Sequence, residues 1–175
     1  MSLRKTIGLT LAGSLAQSLF DNLFYKTSTP KRGSIVYCKL AFGQIEHSGI
    51  YVGNDQIIHR NGKGVIEQVS SRQFVNSLSA ITIYVSCGTN GHAVSCETAA
   101  RLAESSLGNT LDYSLLNKNC HQFCCYCLNG DWSNELALFS QLKKEAHIFL
   151  KATQWRAWDQ GKIMKNPYGI RGSVK

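Results

Sequence analysis

The sequence predicts an α+β domain, with an antiparallel sheet first and its helices after it. Three observations carry this. Short runs rich in β-branched and aromatic residues, between positions 33 and 85, are separated by tight turn clusters. After residue 93 the apolar period lengthens from two to the helical spacing. A further apolar stripe of helical spacing precedes the strands.

In chain order, Met1 to Tyr25 places Leu3, Ile7, Leu11, Leu15, Leu19 and Leu23 at every fourth position. Ala12, Ala16, Phe20 and Phe24 widen the stripe, and Arg4 and Lys5 stand at its front. This reads as an amphipathic helix, lying on a membrane or docked on protein. The competing reading is a secretory signal peptide with Ser14-Leu15-Ala16 at the cut. A membrane span is disfavoured, because the uncharged run Thr6 to Phe20 falls short of the roughly 20 residues a span needs. The helix reading is preferred, since the stripe continues past the cut through Phe24.

Thr27 to Gly33 is a turn-rich linker. Strands are expected at Ser34–Leu40, His47–Val52, Gln56–Arg60, Gly64–Val69 and Ala80–Val85. Gly53-Asn54-Asp55 and Asn61-Gly62 are short enough to make the first strands an antiparallel meander. A loop or short helix is expected at Ser71–Ser77. Ala93 to Leu107 reads as a helix stopped by Gly108. Leu111 to Lys118 reads as a loop, and Asn119 to Leu128 as a short helix ended by Asn129-Gly130. A second long helix is expected from a cap at Ser133 or Asn134 through Leu150, reaching towards Trp155 and Trp158. The basic tail after Gly161 is expected to be flexible.

Seven cysteines in 175 residues is an odd count, and the cysteines cluster. This suits free thiols in a reducing compartment better than a disulfide framework. Cys124-x-x-Cys127 has no matching second half, so no metal is expected, and no cofactor. The net charge of +8 divides into +4 over residues 1–32, −2 over 33–140 and +6 over 141–175. Basic ends suit an anionic membrane surface or nucleic acid, and equally serve plain solubility. No nucleic-acid partner is expected. The chain is placed in the cytoplasm, peripheral to a membrane, or outside it if the N-terminus is a signal peptide.

The chemistry points to Cys120. Asn119 is a good N-cap, which puts Cys120 in the first helical turn, where the helix dipole favours thiolate. Its backbone N–H is a natural oxyanion donor. Phe123, Cys124, Cys127 and Leu128 share one face, and Cys124, Cys125 and Cys127 read as packing residues. A nucleophilic thiol needs a base and the base a partner. His92 and His147 read as surface residues. His121 is set aside because adjacent residues on a helix do not face each other. His47 and His59 start one strand and end the next, as directly opposed cross-strand neighbours. On residues alone, a Cys-His-His triad and two ordinary structural histidines both remain open.

Glu46-His47-Ser48-Gly49-Ile50-Tyr51-Val52-Gly53-Asn54-Asp55 through Ile58-His59, with Asn119-Cys120 and Phe123, resembles the lecithin:retinol acyltransferase family. That family includes small phospholipase A/acyltransferases and shares a papain-like superfamily with NlpC-type endopeptidases, in permuted order. The resemblance implies a permuted papain-like fold, its sheet packed on the cysteine helix. It implies His47 as general base, His59 as orienting third member, and Cys120 as nucleophile forming an acyl thioester from lipid acyl esters. Residues 1–30 would then be helix and linker, 31–132 the catalytic domain, 133–160 a C-terminal helix and 161–175 a tail. Two departures stand out. Members familiar from animals carry Glu-His after the cysteine and often an aromatic after the first histidine. Here stand His121-Gln122 and Ser48, expected to line the substrate mouth. The alternatives are a cysteine peptidase or amidase of NlpC type, or a non-catalytic membrane-associated binding module.

Overall fold

The computed structural model describes residues 27–40, 45–76, 82–110 and 119–158. The stripe of residues 1–25, the loop 111–118 and the tail 161–175 lie outside the described residues. Six strands are described: β1 (Ile35–Leu40), β2 (Ile45–Gly53), β3 (Gln56–Arg60), β4 (Ile66–Ser70), β5 (Ile83–Cys87) and β6 (Gln154–Ala157). Helices among the described residues are α1 (Ser71–Asn76), α2 (Glu97–Ser105), α3 (Cys120–Asn129) and α4 (Phe139–Leu150). The strands form one sheet in the order β4-β3-β2-β1-β5-β6, antiparallel at every pairing.

The first four strands are the expected meander. Asn54 and Asp55 close β2 onto β3 with φ of 49° and 61°. Two successive positive φ values make the two-residue turn whose twist matches a hairpin, and Asn and Asp tolerate it. The turn pairs Gly53 with Gln56, and the register then shifts between Gly53 and Tyr51.

Alternation along the strands sorts the core into two layers. Ile35, Ile50, Ile58 and Ile66 pack with Ala99 and Ala103 of α2, Phe123, Cys124 and Leu128 of α3, and Leu142 and Ala146 of α4. Val36, Cys38, Ile57 and Val85 turn the other way, towards Phe74 of α1 and Trp158. The cysteine-led helix thus covers one face of the sheet.

The C-terminal part differs from the sequence reading. The last helix starts at Phe139 rather than near a cap at Ser133 or Asn134, because Ser133 is held in a turn by Asp131 Oδ1. It also ends at Leu150, where Lys151 takes a left-handed φ of 60°. Residues 154–157 then form β6 against β5, so Trp155 lies on a strand, not a helix. The helix predicted over Ala93–Leu107 is shorter than expected too. Val94 donates its N–H to Ser86 O, and Ala93 bridges Cys87, before α2 begins at Glu97.

Both sheet edges carry non-strand chain. Ser28 donates its N–H to Ala157 O on β6. On β4, Ile66 donates to Asn109 O, and its own carbonyl accepts from the Gly108 N–H. Arg32 fastens the linker, forking onto Glu104 through Nη1 and Nη2 at 2.6 and 2.7 Å, with Nη1 also reaching Val52 O.

Phe123 is fully buried where α3 meets the sheet. Phe123→Ala removes that wedge and should cost about 3–5 kcal/mol, read as a lowered urea midpoint at unchanged slope.

Candidate active site

Asn119 determines where α3 begins. Its Oδ1 accepts from the N–H groups of His121 (2.9 Å) and Gln122 (3.2 Å), and its Nδ2 donates to Ala137 O at 2.8 Å. One amide therefore caps two orphan donors and ties the helix start to the chain entering α4. At the other end Gly130 supplies the left-handed stop, with φ of 76°. Cys124, Cys125 and Cys127 are buried, as expected of packing residues.

Cys120 is buried as well. Burial pushes its thiol up. The N–H and hydroxyl of Ser48 and the N–H groups of Cys120 and His121 pull the other way. Desolvation thus works against the thiolate that the helix-end amides favour. Cys38, paired with His47 across β1 and β2, is pushed to about 12 by burial and by the nearby Cys120. The first residue of α3 accordingly stands at the end of the sheet that carries His47.

His47 and His59 do meet. His47 Nε2 and His59 Nδ1 are 2.8 Å apart, the two rings nearly perpendicular. They are not directly opposed, however. Carrying the Ile50↔Ile58 register one step back sets Gly49, not His47, opposite His59. The pair is diagonal, because the two-residue turn fixes the register. Gly49 makes the diagonal possible: a Cβ there would lie 2.6 Å from Ile57 Cγ2 and 3.2 Å from His59 Cβ. Phe74 seals both rings, with centroids 5.1 and 5.4 Å from them.

Glu67 completes the row. It pairs with His59 across β3 and β4, and its Oε1 lies 3.5 Å from His59 Nε2. A carboxylate there favours a proton on His59 Nε2, and the Arg60 backbone also favours a proton on the ring. His59 Nδ1 then accepts from His47 Nε2–H, which leaves His47 Nδ1 as a lone pair. Burial, His59 and His121 together lower His47 to about 3, so its ring is neutral at physiological pH. Burial lowers His59 too, against the opposing pull of Glu67.

No hydrogen bond joins His47 to Cys120 among the described residues. The ring nitrogen in contact with the sulfur is His121 Nδ1, at 3.9 Å. The expectation that neighbours on a helix cannot face each other fails here, because both residues sit in the first turn and converge on Ser48. His121 Nδ1 is 2.9 Å from Ser48 Oγ, and Cys124 donates its S–H to the same oxygen at 3.4 Å. Gln122 accepts from Arg60 Nη1 at 3.3 Å and donates to Trp132 O at 3.1 Å. Ser48, His121 and Gln122, expected at a substrate mouth, are all buried and bonded internally. Glu67 and Gly49 are the site residues that sequence reasoning missed. The His59-to-Glu67 pairing was the available signal for the first, since the tight turn from β3 to β4 sets Glu67 opposite His59.

The fold and site together define a class: an antiparallel sheet presenting a buried imidazole pair beside a cysteine-led helix. A family model described as lecithin retinol acyltransferase matches residues 28–133, more than half of the chain. The chain belongs to that family. Membership makes acyltransferase-type chemistry on lipid or acyl substrates its coarse assignment. A search of the curated proteins finds no match to the chain. Among the described residues, no helix is long and apolar enough to cross a membrane, and no group of three metal-binding side chains is assembled.

Two measurements test the geometry. Gly49→Ala should cost about 1–3 kcal/mol by overpacking and should separate the two imidazoles, seen as loss of their coupled ring-nitrogen signals in NMR. Acid should also destabilise the fold. His47 and His121 stay neutral until about 3 and about 4 in the folded chain, against 6.5 when unfolded. The unfolded chain therefore binds more protons in that window. Stability should fall as pH drops below 6.5, by about 1.4 kcal/mol per unit for each histidine. Urea midpoints from pH 7 to 4.5 check this, with a shallower slope in His121→Asn.

Proposed function

We propose that the protein is a thiol-dependent acyltransferase or phospholipase A-type hydrolase, with Cys120 as nucleophile, His47 as general base and His59 as orienting partner. The observation that carries this is the 2.8 Å His47–His59 contact, backed by Glu67, at the sheet end where α3 begins. Glu67 holds the proton on His59 Nε2, so His47 keeps its Nδ1 lone pair for a proton.

The first half-reaction uses that lone pair. The Cys120 proton passes to His47 Nδ1 as the sulfur attacks the ester carbonyl. The Cys120 N–H stabilises the oxyanion that forms. Collapse breaks the ester C–O bond. The leaving alkoxide takes the proton back from His47, and the acyl group remains as a thioester. Water or an amine then attacks that thioester, giving its proton to His47; collapse breaks the C–S bond, and His47 returns that proton to the leaving sulfur, restoring the Cys120 thiol. A neutral resting pair fits a buried site, where separated charges are costly. The acyl substrate is presented by an anionic lipid surface, which the basic ends of +4 and +6 favour.

Incubation with mixed phospholipid vesicles and intact-mass analysis is the test. One acyl chain should add to the wild-type protein, on the peptide containing Cys120. Cys120→Ala should carry none, and His47→Gln should acylate about 10²- to 10⁴-fold more slowly. Cleavage of peptide or amide substrates with no lipid adduct would overturn the proposal in favour of a peptidase.

A further inference from the structure

Helix α4 is amphipathic twice over. Leu142, Ala146 and Leu150 on its inner side enter the core. Its outer side is divided again. Of the five large apolar side chains left exposed among the described residues, Leu138, Ile148 and Phe149 lie on α4 or at its cap, 62%, 55% and 47% exposed. They are therefore a patch, not single apolar residues spread over the surface. At helical spacing the three fall within about 100° of each other, and Lys143 and Lys144 take the adjoining arc. Both lysines are exposed, as is Lys151, which donates from Nζ to Ile148 O at 3.2 Å. Lys143 Nζ stands over the Phe139 ring, 4.9 Å from its centroid. The single acid between Leu138 and Lys151 is Glu145. It is half-buried and accepts from Asn129 Nδ2 at 3.1 Å. Every exposed formal charge on this stretch is thus positive.

We propose that the outer side of α4 docks the protein on an anionic lipid surface, with the helix lying in the plane of that surface. Leu138, Ile148 and Phe149 enter the headgroup layer, and Lys143, Lys144 and Lys151 meet the lipid phosphates. An apolar strip beside a cationic one is what an interfacial helix presents to such a surface. The long lysine stems let the ammonium groups stay among the headgroups while the apolar side chains sink. A second copy of this chain is a poorer occupant, because a two-fold pairing of this side brings two sets of lysines together. The docking also places the site. Asn119 Nδ2 donates to Ala137 O at 2.8 Å, and the Phe139 ring lies 5.4 Å from that of His121. The start of α4 is therefore tied to the start of α3, and α4 in the lipid plane keeps Cys120 close to the lipid. The proposal rests on the acyl-lipid reading of the site and adds to it the side by which lipid is approached.

The test reads binding without chemistry. The full chain carrying Cys120→Ala is sedimented with vesicles of phosphatidylcholine and phosphatidylserine, three to one. Adding Lys143→Gln with Lys144→Gln should weaken the partition about 25-fold, at roughly fivefold for each lysine held at an anionic surface. Ile148→Ser with Phe149→Ser should weaken it about tenfold through lost apolar burial. Lys63→Gln with Arg101→Gln removes the same charge from exposed positions on other elements. That pair should change the partition by less than about threefold, because charges away from the surface are screened. Urea midpoints should match the parent in all three pairs, since the altered side chains are exposed. Parental binding by both α4 pairs overturns the proposal in favour of another part of the chain. An equal loss in the Lys63 and Arg101 pair overturns it in favour of net charge alone. A dimer that Ile148→Ser with Phe149→Ser converts to monomer, with vesicle binding unchanged, overturns it in favour of a second copy. In the chain with Cys120 intact, acyl adducts undiminished by the α4 pairs would sink the docking alone. Binding through α4 by a chain that never takes an acyl group would sink the acyl-lipid chemistry alone.

Discussion

The position of the Cys120 sulfur depends on one side chain, Asn119. Its carboxamide satisfies two amides of α3 and one carbonyl of the chain leading to α4. Three hydrogen bonds to a single planar group leave the helix start little freedom to slide or rotate. Cys120 follows immediately, so the sulfur inherits that precision. The sheet makes the matching contribution: a two-residue turn sets the register, and the register sets which histidine meets which.

The chemistry that results is that of a dry, neutral site. Desolvation lowers His47 and His121 and raises Cys120. An ion pair would have to form against that burial. In the proposed mechanism, proton transfer coupled to attack avoids a standing charge separation, and the paired imidazoles suit such coupling. Polarity at the two imidazoles is therefore arranged as a row of donors and acceptors, with the partly exposed Glu67 carboxylate at its outer end.

Much of this was legible in the residues, for identifiable reasons. The meander could be read because Gly53-Asn54-Asp55 and Asn61-Gly62 are strong punctuation between alternating runs. Asn119 and Gly130 announced both ends of the cysteine helix. The strand at 154–157 could not be read, because the left-handed stop before it is Lys151, where a glycine or asparagine is the usual sign. Four residues are also too few for a period. The diagonal meeting of His47 and His59 depends on a turn type and a register shift that spacing alone does not fix. The inward turn of His121 escaped the helical-neighbour rule because that rule holds within a helix, whereas Ser48 recruits the ring from across the sheet.

The edge contacts have a consequence of their own. A six-stranded sheet offers two rows of backbone to any passing chain, and an unguarded row invites strand addition and aggregation. Here Ser28 takes the Ala157 carbonyl at one border, and Gly108 and Asn109 take both groups of Ile66 at the other. Among the described residues each border thus has one strand end already occupied, which makes addition of a foreign strand at that end less favourable.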